Sequence, residues 1–317
     1  MGGRYRNSAA RAIDSHWSSP TTTDWPFFTI NCAVSLPHLT VASAVIADRG
    51  PDYLAGRIIY AIAVAAFGVI CLVYRDFVSS LQPVQASMPG YGFLAVLTGL
   101  VLLVAGLALI ANVRTHLAAL VLVAMFVLWI VVLHIPSAFI DPSLLRSPWW
   151  IRTFETLALA GVALILAGLA AEPVRDKWIR AGRIAFGVSL PVFGILHFIY
   201  ADSVAALVAL SPVSYPWPLF WAYLTGAGHL AAGLAIATGV LPRLAALLAG
   251  IMYASWVFSL HLPRIIDHPE TYSGNYRELT SLFVCVAFWG AAWIVASVSA
   301  DRHYTTRSIE HVEPSPS

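Results

Sequence analysis

Eight apolar stretches, each close to the roughly 20 residues that carry a helix across a bilayer, dominate this chain of 317 residues. They cover residues 56–74, 91–111, 115–135, 151–171, 182–200, 217–239, 243–263 and 277–298. Lipid offers no partner to a bare peptide group, and the stretches are far too long for barrel strands, so helices are the structure they can adopt. Composition agrees. Hydrophobic residues make up 59% and charged residues 11%, whereas soluble domains carry about 25% charge. Mean hydropathy is +0.77. A net charge of +2 is too small to point to nucleic acid. The expected fold is an all-α integral membrane protein of eight transmembrane helices, with the lipid bilayer as its partner and no nucleic-acid partner.

The stretches fall into two collinear sets. His134–Ile135–Pro136 returns 127 residues later as His261–Leu262–Pro263. Gly56–Arg57–Ile58 returns as Gly182–Arg183–Ile184, and Gly68 as Gly194. Leu97–Thr98–Gly99 returns as Leu224–Thr225–Gly226, Gly106–Leu107–Ala108 as Gly233–Leu234–Ala235, and Met125 and Trp129 as Met252 and Trp256. Glu155 aligns with Glu278 once a few loop residues are gapped. Matches this dense read as an internal duplication. The halves are residues 55–172 and 181–299, each with four spans. An even number of spans per half makes them parallel repeats about an axis along the membrane normal.

Residues 1–54 are polar at the start and are expected to be disordered, as is the tail 300–317. Residues 27–47 are moderately apolar but contain Asn31, Pro37 and His38. They lack the order of a signal peptide, and a ninth membrane segment there stays open beside a peripheral one. Arg57, Arg114, Arg175, Lys177, Arg180, Arg183, Arg243, Arg302 and Arg307 collect on one side of the spans. Basic residues near span ends mark the cytoplasmic side, so both termini are expected inside and both histidine–x–proline triplets outside. Cys32, Cys71 and Cys285 form no paired pattern and read as apolar fillers.

The second half is the more polar. His197 stands where the first half has Cys71, and His229 where it has Leu102. His229 lies near mid-membrane on the helix face that carries Thr225, Gly226 and Gly233, a face built for close helix approach. An ionisable residue facing the interior of a membrane bundle is a functional candidate; a packing histidine bonded to a carbonyl or to Thr225 is the alternative. His197, His261 and Glu278 are expected to meet near the outer face. Glu278 also suits the first turn of a helix. Two histidines and a carboxylate can bind a transition metal, yet no local metal motif is present. No metal ligand is assigned, and relay of protons to a reducible ring is the preferred chemistry. The candidate catalytic set is His197, His229, His261 and Glu278. Thr225 and Trp256 are candidate cofactor contacts, Trp256 also fitting an interfacial belt.

Each half resembles the DoxX-like family of four-helix bacterial membrane proteins. The resemblance rests on the Gly–Arg opening of its first span, Gly194-x-x-His197–Phe198, Thr225–Gly226…Gly233–Leu234, the basic turn at Arg243 and the span ending at His261. Many members carry a glutamate near the second-span glycines, where this chain has Thr98 and Thr225, so an acidic role there is not carried over. The resemblance implies a multi-pass protein of the bacterial inner membrane and, for some relatives, quinone-linked or redox-stress roles. The expected function is a redox- or quinone-associated membrane component that handles protons at the outer face of the second half, with a membrane redox partner. Whether it is itself an enzyme stays open. The alternatives are a small-solute or ion transporter and a non-catalytic scaffold. No GxGxxG, CxxC or CxxCH motif occurs, so a quinone is the cofactor considered, ahead of a metal.

Overall fold

The computed structural model describes residues 50–140, 149–211, 213, 215–267 and 276–299. Residues 1–49, with the segment 27–47 and Cys32, lie outside the described residues, as do Asp141, His268 and the tail 300–317. Eight described helices are long and apolar enough to cross a membrane. They start and stop within a few residues of the apolar stretches, except that the first begins at Gly50, well before residue 56, and the fifth at Asp176 rather than 182.

The helices are α1 Gly50–Tyr74, α2 Tyr91–Ala111, α3 Thr115–Trp129, α4 Trp149–Leu169, α5 Asp176–Ile199, the short α6 Ala201–Ala209, α7 Pro218–Thr238, α8 Pro242–Trp256 and α9 Tyr276–Val298. Local sequence sets the ends. Asn112 closes α2 in the left-handed conformation with φ 56°, which asparagine tolerates, and its N–H returns to the Ala108 carbonyl. Pro218 sits in the first turn of α7, where its missing N–H costs nothing, and Gly239 closes that helix at φ 82°.

Pro136 and Pro263 do not stop their helices. After α3 the chain makes a π turn over Ile130–His134 and continues helical through Ile135–Ile140. After α8 it makes a π turn over Val257–His261 and continues through Leu262–Asp267. Proline removes one N–H and its ring crowds the carbonyl four residues back. The wider turn absorbs that conflict: Ile135 N–H reaches the Ile130 carbonyl and Leu262 N–H the Val257 carbonyl, both five residues back. The Ser259 carbonyl, four residues before Pro263, accepts a bond from the Ser211 hydroxyl at 2.5 Å. His134 and His261 thus sit inside continuous helices rather than at their ends.

Each span packs on the next, and α9 packs back on α1, closing a ring. Helices α4 and α9 also touch across it. The most buried spans are α1, α4 and α9, followed by α5, so these four form the centre and the hairpins α2–α3 and α7–α8 flank it. Glycines set the contacts. A Cβ on Gly56 would lie 2.9 Å from the Gly290 carbonyl, and one on Gly161 2.7 Å from the Gly182 carbonyl. Gly68 lies against Gly99 and Gly194 against Gly226 in the same way, both at 2.7 Å to the opposing carbonyl. Without an excess hydrophobic drive between helices in lipid, such close backbone approach supplies the packing energy.

Polar pins fasten the ends. Arg57 is buried and donates to the Asn112 side chain, which also receives the Thr115 hydroxyl at 3.0 Å. That gives Arg57 a packing role beyond marking topology. Asp76, in the connection after α1, accepts from Tyr91 at the start of α2, Tyr276 at the start of α9, and the Phe77 N–H. Partial burial pushes its carboxyl up, but those three donors and the charge of Arg277 outweigh it and hold the group below its ordinary value.

The glycine contacts predict a sharp contrast. Gly290→Ala places a methyl on the Tyr60 backbone and is expected to lower the thermal midpoint of the detergent-solubilised protein by an amount corresponding to about 1–3 kcal/mol or more. Gly228→Ala meets only Met252 Sδ at 3.5 Å and is expected to leave the midpoint unchanged or slightly raised.

Candidate functional site

Glycine contacts decide which side chains meet in the second half. Gly194 on α5 touches Gly226 on α7, and three residues further along each helix stand His197 and His229. Their ring centroids are 4.9 Å apart. In the first half Gly68 and Gly99 make the same contact, and the residues three further on are Cys71 and Leu102, both fully buried. One packing solution therefore places a thiol against an isobutyl group in one half and two imidazoles together in the other. His229 is the eleventh residue after Pro218, about 16 Å along the helix at 1.5 Å per residue. That is near the middle of a hydrocarbon core about 30 Å thick.

Hydrogen bonds fix the state of both rings. His229 Nδ1 lies 2.8 Å from the Thr225 carbonyl, and His197 Nδ1 lies 2.8 Å from the Phe193 carbonyl. A carbonyl only accepts, so Nδ1 carries the proton in each ring and Nε2 keeps its lone pair. His229 Nε2 receives the Tyr253 hydroxyl at 3.0 Å. Trp256 stacks on His197 at 5.9 Å and 18° between planes, while Phe193 meets His229 edge-on. His197, His229, Tyr253, Trp256, Cys285 and Glu155 are among the walls of a cavity of about 120 Å³. An apolar cavity of about 150 Å³ takes benzene, so this one has the scale of a single ring.

The expected cluster of His197, His261 and Glu278 divides in two. His197 joins His229 in the cavity. His261 Nδ1 instead lies 2.8 Å from Glu278 Oε1, with Arg264 Nη1 at 3.3 Å from the same oxygen. Glu278 therefore bridges α9 to the helical turn after the π segment rather than capping its own helix. Cys285 connects the two groups, since it lines the cavity and interacts with His261. Thr225 does not line the cavity. Its hydroxyl turns back to the Trp221 carbonyl at 2.8 Å, and its own carbonyl orients His229. Among the described residues no group of three histidine, cysteine or acidic side chains is placed to hold a metal ion.

Three contributors were missed in the sequence. Tyr253 takes the place of Phe126, so a comparison of the halves shows its added hydroxyl. Cys285 read as filler. Glu155 was aligned with Glu278, but the contacts pair the helices differently. Gly161 meets Gly182 as Gly290 meets Gly56. Thr156 bonds His134 Nε2 at 3.2 Å where Cys285 interacts with His261. By that register Glu155 corresponds to Val284. His134 itself also contacts the Leu81 carbonyl at 3.0 Å, fully buried.

Eight helices, each long and apolar enough to cross a bilayer and packed into one bundle, define an integral membrane protein. Residues 179–262, from the first turn of α5 to Leu262, match the DoxX family model, which bears out the DoxX-like resemblance on the second half of the chain. No curated protein and no solved structure matches the chain.

The His229–Tyr253 bond is testable. Tyr253→Phe leaves His229 Nε2 buried without a donor, a loss of about 1–3 kcal/mol. It is expected to lower the thermal midpoint by several degrees, and an unchanged midpoint would show that the bond is not formed.

Proposed function

We propose that this protein is a redox- or quinone-associated component of a bacterial inner membrane, and that its second half receives one planar ring of a membrane-soluble cofactor between Trp256, His197 and His229. The supporting observation is the convergence of two histidines, a tyrosine and a stacked tryptophan on a ring-sized cavity at mid-membrane. The aromatic faces suit a flat ring. His197, whose N–H is held by the Phe193 carbonyl, turns its other ring nitrogen to proton exchange with that ring. His261, Glu278 and Cys285 extend this polar region toward the end of the bundle that holds the connection after α1. On this reading the two halves are tandem copies, that end faces outward and the termini lie inside, as the distribution of arginines indicates. His134, with Thr156 and Leu81 for company, is a packing residue. Electrons reach or leave the ring through a membrane redox partner.

A short-tailed benzoquinone titrated into the purified protein is expected to quench tryptophan fluorescence saturably. Trp256→Phe and His229→Leu are expected to weaken that binding at least tenfold, with His134→Ala unchanged. Quenching that never saturates and is equal in all four proteins would contradict the proposal.

A further inference from the structure

Cys285 belongs to both polar groups of the second half. It lines the cavity beside His197, His229 and Glu155, and it shares a hydrogen bond with His261. His261 Nδ1 lies 2.8 Å from Glu278 Oε1, and Arg264 Nη1 lies 3.3 Å from the same oxygen. Cys285 stands seven residues beyond Glu278 on α9, about 10.5 Å further along the helix. It therefore meets the opposite side of the imidazole, where Nε2 lies. A thiol, a base and a carboxylate that orients the base are thus in line, the arrangement that activates a nucleophile. Charge balances as well. Arg264 offsets Glu278, and one proton shared by Sγ and Nε2 leaves the four groups neutral in sum whichever atom holds it. Packing alone does not call for the thiol, because in the first half Thr156 bonds His134 at the corresponding place.

The same cavity holds a group for the other end of a substrate. Glu155 comes from α4, and its Oε2 is shut off from solvent without a hydrogen-bond partner. The carboxyl makes no ion pair among the described residues. A carboxyl buried in that way keeps its proton, and its O–H can donate to a carbonyl oxygen. We propose that Cys285 is a nucleophile that takes up a small apolar α,β-unsaturated carbonyl compound from the membrane, with His261 receiving the thiol proton and Glu155 holding the carbonyl oxygen. The Sγ–C bond forms at the β carbon, the alkene π pair moves toward the carbonyl, and the oxygen takes the Glu155 proton. As the resulting enol returns to the ketone, its O–H proton goes back to Glu155. The α carbon then gains the proton that the thiol gave up. One C–S and one C–H bond replace the S–H bond and the alkene π bond, so no oxidant or reductant is required. The proposal goes beyond the ring-binding reading, because it assigns a covalent reaction to the cavity wall and holds for guests that are not quinones.

The probe is N-methylmaleimide, a single flat ring with the required alkene and carbonyl, added to the full-length protein in detergent and followed by peptide mass mapping of each cysteine. Cys285 is expected to be alkylated at least tenfold faster than Cys71. Its rate is expected to change less than about twofold between roughly pH 6 and 8, because the pair keeps its one shared proton throughout. An unassisted thiol instead gains roughly tenfold per pH unit below its pKa of about 8.5. His261→Asn and Glu278→Gln are expected to slow the reaction at neutral pH at least tenfold, and His261→Asn to bring back the steep pH dependence. Glu155→Leu is expected to slow the maleimide at least fivefold more than it slows methyl methanethiosulfonate, a thiol reagent without a carbonyl. Equal slowing of both reagents would overturn the part given to Glu155. Thermal melts check that each variant folds, and the wild-type pH profile stands without any variant. Tetramethylbenzoquinone, whose ring carbons are all substituted, is expected to protect Cys285 by filling the cavity. Fast alkylation without that protection would overturn the ring-binding reading and leave the nucleophile standing. A Cys285 rate that climbs about tenfold per pH unit, or that is no greater than that of Cys71, would overturn the nucleophile, whether or not the quinone protects it.

Discussion

Backbone-to-backbone contact at glycines is the constraint from which the rest of this architecture follows. Within lipid, two apolar helices gain little from hiding side chains they could equally leave in acyl chains. They adhere where their axes come close enough for broad van der Waals contact, and only residues without a side chain permit that. Gly56 on Gly290 joins α1 to α9, and Gly161 on Gly182 joins α4 to α5. These two seams tie the first half to the second and put α1, α4, α5 and α9 at the centre. Gly68 on Gly99 and Gly194 on Gly226 then set how each flanking hairpin meets the centre. The register of those contacts, more than the hydrophobicity of any one span, determines which side chains face each other.

The same glycine contacts occur in both halves with different side chains beside them. Where the first half closes its interior with Cys71, Leu102 and Phe126, all fully buried, the second places His197, His229 and Tyr253. Polar groups at this depth cannot turn to water, so each must find a partner inside the protein. The helix carbonyls of Phe193 and Thr225 supply two, and the Tyr253–His229 bond supplies a third. Glu155 Oε2, which lines the same cavity, is buried with no hydrogen-bond partner among the described residues. A second polar group, His261 with Glu278 and Arg264, lies further toward the bundle end, with Cys285 of the cavity wall beside it.

Much of this was legible in the sequence, and the parts that were not have identifiable causes. Span positions follow from hydropathy because lipid imposes one requirement along the whole helix. The pairing of His197 with His229 was only half visible: the substitutions for Cys71 and Leu102 marked both residues, but their contact depends on a glycine register that needs the neighbouring helix in place. The seventh span read as ending at His261, whereas a π turn and the Ser211 hydroxyl accommodate Pro263 and the helix runs on, although proline usually ends one. Glu155 and Glu278 were paired by residue type, although packing matches Glu155 with Val284. Glu155 gained its place only when α4 of one half was seen to wall the cavity of the other.

The central claim is that the second half encloses a site for a planar ring at mid-membrane. An experimental structure of the protein, extracted from its native membrane without added ligand and imaged in a lipid nanodisc, tests it most directly. The account predicts flat density beside Trp256, within hydrogen-bonding distance of His197 Nε2 and Glu155. A cavity collapsed by its own side chains, or filled only by an acyl chain, would contradict it.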